Sequence, residues 1–290
     1  MSAQAEVRLA PPARLAAWLA RHRRWFVLTG AGCSTASGIP DYRDSAGAWK
    51  RAMPMTIQAF RSDAAARARY WARSLHGWPV FAAAAPNDAH YALARLQAQG
   101  RIVRLVTQNV DGLHQAAGTK AVIDLHGRLD RVVCLHCGWR APRAQWQQVL
   151  LAANPHWCAR PLAVAPDGDA DLAQADFSAF RVPPCPRCGG IVKPDVVFFG
   201  DTVPPARVQA ALQALAAAEA MLVVGSSLMV YSGFRFARAA AEMGKPIVAI
   251  NLGRTRADAL LADKIEAPCG QVLAAVALTA PPARDHAARI

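Results

Sequence analysis

At 290 residues, with 53% hydrophobic residues and a mean hydropathy of +0.12, the chain can build one large domain, or a large and a small one, around a sizeable core. Its longest apolar runs are strand-length and bounded by glycine or polar residues, which excludes a transmembrane helix and a membrane partner. The formal net charge of +13 favours acidic partners, but the arginines are scattered without an aromatic-interleaved basic cluster, so no nucleic-acid groove is expected.

The first element is read over the Arg-rich, acid-poor N-terminus. That composition also suits a transit peptide, but Leu15, Trp18 and Leu19 recur at helical spacing and lead directly into an apolar run. A helix of the fold is therefore expected, and the protein is expected to be cytoplasmic. The run 25-WFVLT-29 reads as a buried strand, followed by Gly30-Ala31-Gly32. This is the start of a dinucleotide-binding turn, but the glycine due three places after Gly32 is Thr35. A loop of small residues and a charged run, Asp41-Tyr42-Arg43-Asp44, come next.

Residues 45–90, rich in Arg, Trp and Ala, read as a helical insertion. Four more apolar runs follow in order: 102-IVRLVT-107, 121-AVIDL-125, 220-AMLVVG-225 and 246-PIVAIN-251. Helical patterns lie between them, notably 205–219 and 233–244. Strand alternating with helix predicts an α/β fold, a doubly wound parallel sheet of Rossmann type. The strands end in Thr29-Gly30, Thr107-Gln108-Asn109-Val110-Asp111, His126-Gly127, Gly225-Ser226-Ser227 and Asn251-Leu252-Gly253. Ordinary turns account for the glycines but not for Gln108, Asn109, Asp111 and His126, so the strand ends are read as one ligand cleft.

Four of the seven cysteines form two pairs, Cys134/Cys137 and Cys185/Cys188, each followed by a glycine. Two such knuckles suit a tetrahedral Zn²⁺ site, structural because all four positions are filled by protein. Disulfides are the alternative, set aside because no secretory signal is visible. The pairs place a small zinc-binding lobe at 128–190, with the Rossmann-type domain at 13–127 and 191–280. Within the lobe, 154–180 has no clear period and reads as a solvated loop, its aspartates misplaced for a calcium loop. Cys33, Cys158 and Cys269 belong to no motif, and Cys33 reads as a small residue packed beneath the cofactor.

GAGCSTASGIPDYRD, TQNVDGLH, LHG, the paired knuckles, KPDVVFFG, GSSLMVYSG and NLG occur in that order. Together they resemble the sirtuins, NAD-dependent protein lysine deacylases, from about residue 13 to 275. The segments DVVFFGD and VYSGFRFA are most similar to the class II branch, which includes sirtuin 4. The resemblance implies NAD and Zn²⁺ as cofactors, acylated-lysine proteins as substrates and a monomer. It explains the charged run as a mobile cofactor loop, Ile39 through Arg43, closing over the ribose whose bond to nicotinamide is broken.

It also implies roles. Gly30, Ala31, Gly32 and Thr35 belong to the pyrophosphate turn. Ile39, Asn109 and Asp111 form the nicotinamide end, with Asp111 on the carboxamide, and Gln108 is a further cofactor contact. Gly225, Ser226, Ser227, Asn251, Leu252, Gly253 and the backbone near Cys269 form the adenosine side. Val196, Val197 and Phe198 pair with the substrate backbone.

The family's acyl oxygen attacks C1′ as nicotinamide leaves, and His126 is the general base on a ribose hydroxyl. Tyr70 and Arg73, three apart on one helix face, match a Tyr-x-x-Arg pair that holds anionic acyl groups in some sirtuins; the class II likeness points to other chains. Asp201 replaces a common Glu, and Gly-Cys-Ser a commoner Ile-Ser form. Two other functions fit part of the sequence: mono-ADP-ribosyl transfer to protein, and a zinc-ribbon nucleic-acid binder, which leaves His126 unexplained.

Overall fold

The computed structural model describes residues 9–50, 54–157, 163–164, 170–171 and 176–279. In chain order come α1 (Pro11–Arg21), β1 (Trp25–Thr29), α2 (Ile57–Ser62), α3 (Ala64–Ala82), α4 (Asp88–Ala98), β2 (Ile102–Thr107), α5 (Leu113–Ala116), β3 (Ile123–Asp124) and β4 (Gly127–Cys134). There follow β5 (Arg140–Pro142), α6 (Arg143–Ala153), β6 (Ala163–Val164), β7 (Ala170–Asp171), β8 (Val192–Val196), α7 (Pro205–Ala217), β9 (Ala220–Val224), α8 (Tyr231–Glu242), β10 (Ile247–Ile250), β11 (Asp263–Ile265) and α9 (Cys269–Thr279).

The main sheet has six strands in the order β11-β10-β9-β1-β2-β3, all parallel. Parallel strands are covered on both faces, and β1, β9 and β10 are buried throughout. One face packs Leu15 and Leu19 of α1, Leu93 of α4 and Leu273 of α9. The other packs Leu215 of α7 and Phe236 of α8. The N-terminal helix is part of the fold: Pro11 starts it, and Trp18 Nε1 donates to Asp263 at 2.9 Å, fastening it to the edge strand.

The sheet agrees with the doubly wound expectation and adds one strand to the five read from sequence. Asp263-Lys264-Ile265 has no apolar run to mark it; it is recruited at the edge by pairing with β10 and by the α1 contacts. The strand order reverses between β1 and β9, so the carboxyl ends of these neighbours diverge into a crevice. There Gly30 N–H donates to Val224 O at 3.0 Å and Gly32 N–H to Gly225 O at 2.9 Å. Gly225 has φ +58, and a Cβ on it would meet Cys33 N at 2.4 Å, so only glycine lets the two strand ends approach this closely.

A second sheet, β5-β4-β8, is antiparallel and carries the cysteine knuckles. The helical insertion packs on it. Trp71 of α3 meets Trp146 of α6 with ring centroids 5.8 Å apart, and buried Arg143 donates to Ser74 O at 3.1 Å. The same core continues through Phe60 and Tyr70 to Phe198, just past β8. The insertion, the small lobe and the β8 segment therefore form one packed wall facing the crevice.

Candidate active site

The crevice opens into a cavity of about 500 Å³, within the range of cofactor and small-molecule sites. Its floor is the end of β1. Buried Ser34, on the turn after Gly32, donates to Asp111 Oδ2 at 2.7 Å and accepts from Asn109 Nδ2 at 3.0 Å. Asn109 also donates to Gly30 O at 3.0 Å, and Asp111 Oδ1 accepts the Leu113 N–H at 2.9 Å. The amide and the carboxylate are thus held at fixed positions beside the glycine turn. Gln108 donates to Ser226 Oγ at 2.7 Å, linking the ends of β2 and β9.

His126 stands between β3 and β4. Val197 N–H donates to its carbonyl at 2.8 Å, so its backbone is tied to the segment after β8. Its ring Nδ1 lies 2.9 Å from Gln108 O and its Nε2 2.8 Å from Ser232 Oγ. A carbonyl only accepts, so Nδ1 carries the proton; in the neutral ring Nε2 then holds the lone pair and accepts from the serine hydroxyl. Burial pushes the His126 pKa down to about 4; the bond to Gln108 O opposes this, and the positive charges of Arg207 and Arg235 add to it. The ring is therefore neutral near pH 7, with its basic nitrogen at the cavity wall.

The loop after the glycine turn crosses the cavity mouth. Arg43 stacks over Trp49 at 3.9 Å and donates to Gly47 O at 2.7 Å. Asp41 pairs with Lys50, and Asp44 Oδ1 accepts the N–H groups of Ala46 and Ala48 at 3.0 and 2.9 Å. Arg254 N–H donates to Ser45 O at 2.9 Å, docking this loop on the segment after β10.

In the small lobe, the Sγ atoms of Cys134, Cys137, Cys185 and Cys188 all lie within 4.8 Å of one another. Cys134–Cys188 are 3.5 Å apart and Cys137–Cys185 3.8 Å. A tetrahedron with Zn–S of about 2.3 Å has edges of about 3.8 Å, so the four thiols already have the spacing of a ZnS₄ cage. Gly138 and Gly189 take positive φ, +70 and +72, to turn each knuckle back.

The chain matches the profile of the Sir2 family over residues 30–232. It belongs to the Sir2 family. It is 64% identical over 262 residues to an NAD-dependent protein deacetylase of Bordetella bronchiseptica, covering 90% of this chain and 96% of that one. An NAD-dependent protein deacetylase 1 of Streptomyces coelicolor is 50% identical over 251 residues, covering 87% and 84%. A solved Sir2 structure with a p53 peptide and NAD⁺ superposes with a TM-score of 0.70 at 29% identity, covering 91% of this chain and 95% of that one.

In this sirtuin the cavity brings together most of the residues picked from sequence. Gly30, Ala31, Gly32, Ile39, Asp41, Tyr42, Arg43, Gln108, Asn109, Asp111, His126, Gly225, Ser226, Ser227, Asn251 and Leu252 line it, as do Tyr70, Val196, Val197 and Phe198. Four others stand off its wall. Thr35 is exposed, its hydroxyl donating back to Gly32 O at 3.2 Å. Gly253 packs against Ser45, Cys269 Sγ sits 3.6 Å from Gly32 O, and Arg73 is half-buried one helical turn from Tyr70. Cys158 lies outside the described residues.

Sequence reasoning missed Ser34 and Ser232. Ser34 lies within the motif that was read, but its role shows only when the turn sets it between Asn109 and Asp111. Ser232, inside VYSGFRFA, gives no signal before α8 turns it toward His126.

Proposed function

We propose that this sirtuin removes acyl groups from protein lysines with consumption of NAD and one water, releasing free lysine, nicotinamide and O-acyl-ADP-ribose. The observation that carries the reading is the neutral His126 ring, its lone pair on the cavity wall, in one cavity with the Asn109–Ser34–Asp111 network. Bound NAD supplies the ribose whose bond to nicotinamide breaks and whose carbon and hydroxyl take up the acyl group.

The protein's own groups position and deprotonate. Gly30, Ala31 and Gly32 offer backbone N–H groups at the pyrophosphate turn, with Thr35 bracing it from outside. Asp111 and Asn109 orient the carboxamide against Ile39. Ser226, Ser227, Asn251 and Leu252 hold the adenosine side, backed by Gly225, Gly253 and Cys269, while Gln108 fixes the His126 tautomer. Asp41, Tyr42 and Arg43 exclude water from the mouth. His126 Nε2 takes the proton of a sugar hydroxyl. The segment Val196–Phe198 aligns the substrate as an added strand.

Cys134, Cys137, Cys185 and Cys188 hold a structural Zn²⁺ that keeps β4 and β8 together. The NAD-binding domain spans 13–127 and 191–280, and the zinc lobe 128–190. The protein acts as a cytoplasmic monomer; no helix among the described residues is long and apolar enough to cross a membrane.

We place the chain in the class II branch on DVVFFGD and VYSGFRFA. The cavity lining includes the apolar Met55, Tyr70, Phe81, Leu129 and Phe198 and does not include Arg73, which supports an uncharged acyl chain. Incubation with NAD and a panel of acyl-lysine peptides, with nicotinamide and O-acyl-ADP-ribose read by mass spectrometry, tests the reading. Turnover is expected to fall roughly 10²–10⁴-fold in His126→Ala while zinc is retained. A gain of ADP-ribose mass on the protein substrate, without deacylation, would replace it with ADP-ribosyl transfer.

A further inference from the structure

Tyr231, the first residue of α8, lines the cavity mouth yet is 49% exposed. Three arginines gather on it. The guanidinium of Arg235 lies 5.3 Å from its ring centroid and that of Arg256 6.0 Å, while Arg238 Nη1 donates to its hydroxyl at 3.5 Å. Arg256 is also fixed over Phe234 at 4.6 Å and donates to Met229 O at 3.1 Å.

Of the three, Arg238 has a carboxylate in reach, Glu242 at 3.3 Å. Among the described residues neither Arg235 nor Arg256 forms an ion pair. The Arg235 Nε is buried without a hydrogen-bond partner, although the side chain lines the cavity. The buried Nε stays unmet, and the guanidinium that lines the cavity has no ion pair among the described residues, so a carboxylate arriving at its terminal nitrogens meets a cation without a competing partner.

We infer that the Tyr231 rim, with Arg235 and Arg256, reads acidic residues flanking the acyl-lysine of the substrate protein. This rests on the deacylase reading above. Val196–Phe198 and Tyr231 line the same cavity, so an extended peptide added along Val196–Phe198 would bring alternate side chains toward this rim. The planar guanidinium fork matches a carboxylate, and an exposed tyrosine among arginines has the composition of a recognition hot spot. A nucleic-acid backbone fits less well. Asp41, Asp44 and Asp201 line the same cavity and interrupt its arginines, Arg43 and Arg235, so no continuous positive groove forms for a polyanion.

The test uses acetyl-lysine peptides of one sequence with Asp/Glu, Ala or Lys at the flanking positions, assayed by nicotinamide release. The wild-type kcat/KM is expected to favour acidic over lysine flanks by about tenfold or more at low salt, shrinking at about 0.5 M salt. In Arg235→Gln combined with Arg256→Gln the ratio is expected to approach one, and in Arg235→Lys to be partly kept.

Equal kcat/KM for acidic and lysine flanks in the wild type would overturn the inference. So would a ratio unmoved by the glutamine variants while KM for NAD rises, which would assign Arg235 to the cofactor. Competition by a duplex oligonucleotide that the glutamine variants abolish would assign the rim to nucleic acid instead. Failure of every acylated peptide to turn over would instead remove the deacylase reading itself.

Discussion

The crevice and the zinc lobe are both built on glycine-assisted turns, yet they are held by different forces. In the crevice the key polar groups satisfy one another: Ser34 joins Asn109 to Asp111, Gln108 joins Ser226, and His126 has a partner on each nitrogen. In the lobe the four thiols converge on a point that only a metal ion fills chemically. A change in the crevice should therefore damage chemistry and spare the fold, and a change in the lobe should do the reverse first. The two regions meet at β4 and β8, where Val197 N–H donates to the His126 carbonyl.

The largest expected effect breaks that separation. Structural zinc contributes roughly 10–16 kcal/mol of apparent binding energy in small zinc folds, as much as a whole domain's stability. Cys185→Ser, or prolonged chelation, is expected to release the metal, expose Trp146 and abolish turnover by disordering β8 and the segment after it. Zinc content, tryptophan fluorescence and nicotinamide release measured on one sample check it. A metal-free protein with full turnover would show that the lobe does not support the site.

Ser34→Ala sharpens the comparison from the other side. It leaves Asn109 bonded to Gly30 O but strips Asp111 Oδ2 of its donor. A hydrogen bond to a charged group contributes about 1.5–3 kcal/mol, so kcat/KM for NAD should fall roughly ten- to a hundredfold. Zinc content and the unfolding midpoint should move little. Unchanged nicotinamide release kinetics would remove Ser34 from the site.

That Ser34 was missed while its neighbours were read shows where legibility ended. Strand ends and cysteine spacing are one-dimensional signals: β1, β2, β9 and β10 lie where their apolar runs lie, and the knuckles close as their spacing implies. Side-chain direction in a tight turn is not such a signal. The short 3₁₀ turns at Ala31–Cys33 and Thr35–Ser37 bury Cys33 and Ser34 and expose Thr35, which the motif alone had placed on the cofactor. Edge strand β11 escaped for a related reason, because its pairing depends on α1, some 250 residues earlier.

The smallest effect is a difference in pH dependence between wild type and a His126 variant. Burial depresses His126 to about 4, and it lowers His90 and His114 as well. In the unfolded chain these rings titrate near 6.5, so below that pH the unfolded state binds more protons than the folded one. The contribution of these rings to stability should be flat above about pH 6.5 and fall as pH drops toward 4, by up to about 1.4 kcal/mol per pH unit for each ring. His126→Ala removes one of these rings, so the slope of unfolding free energy against pH between 4 and 6.5 should lessen by about one proton. If His126 is the base, as proposed, the acid limb of kcat/KM in the wild type should lie well below the usual imidazole range. A limb at the ordinary imidazole pKa, with the stability slope unchanged in the variant, would mean that His126 is solvated and its lone pair is not held as the cavity geometry requires.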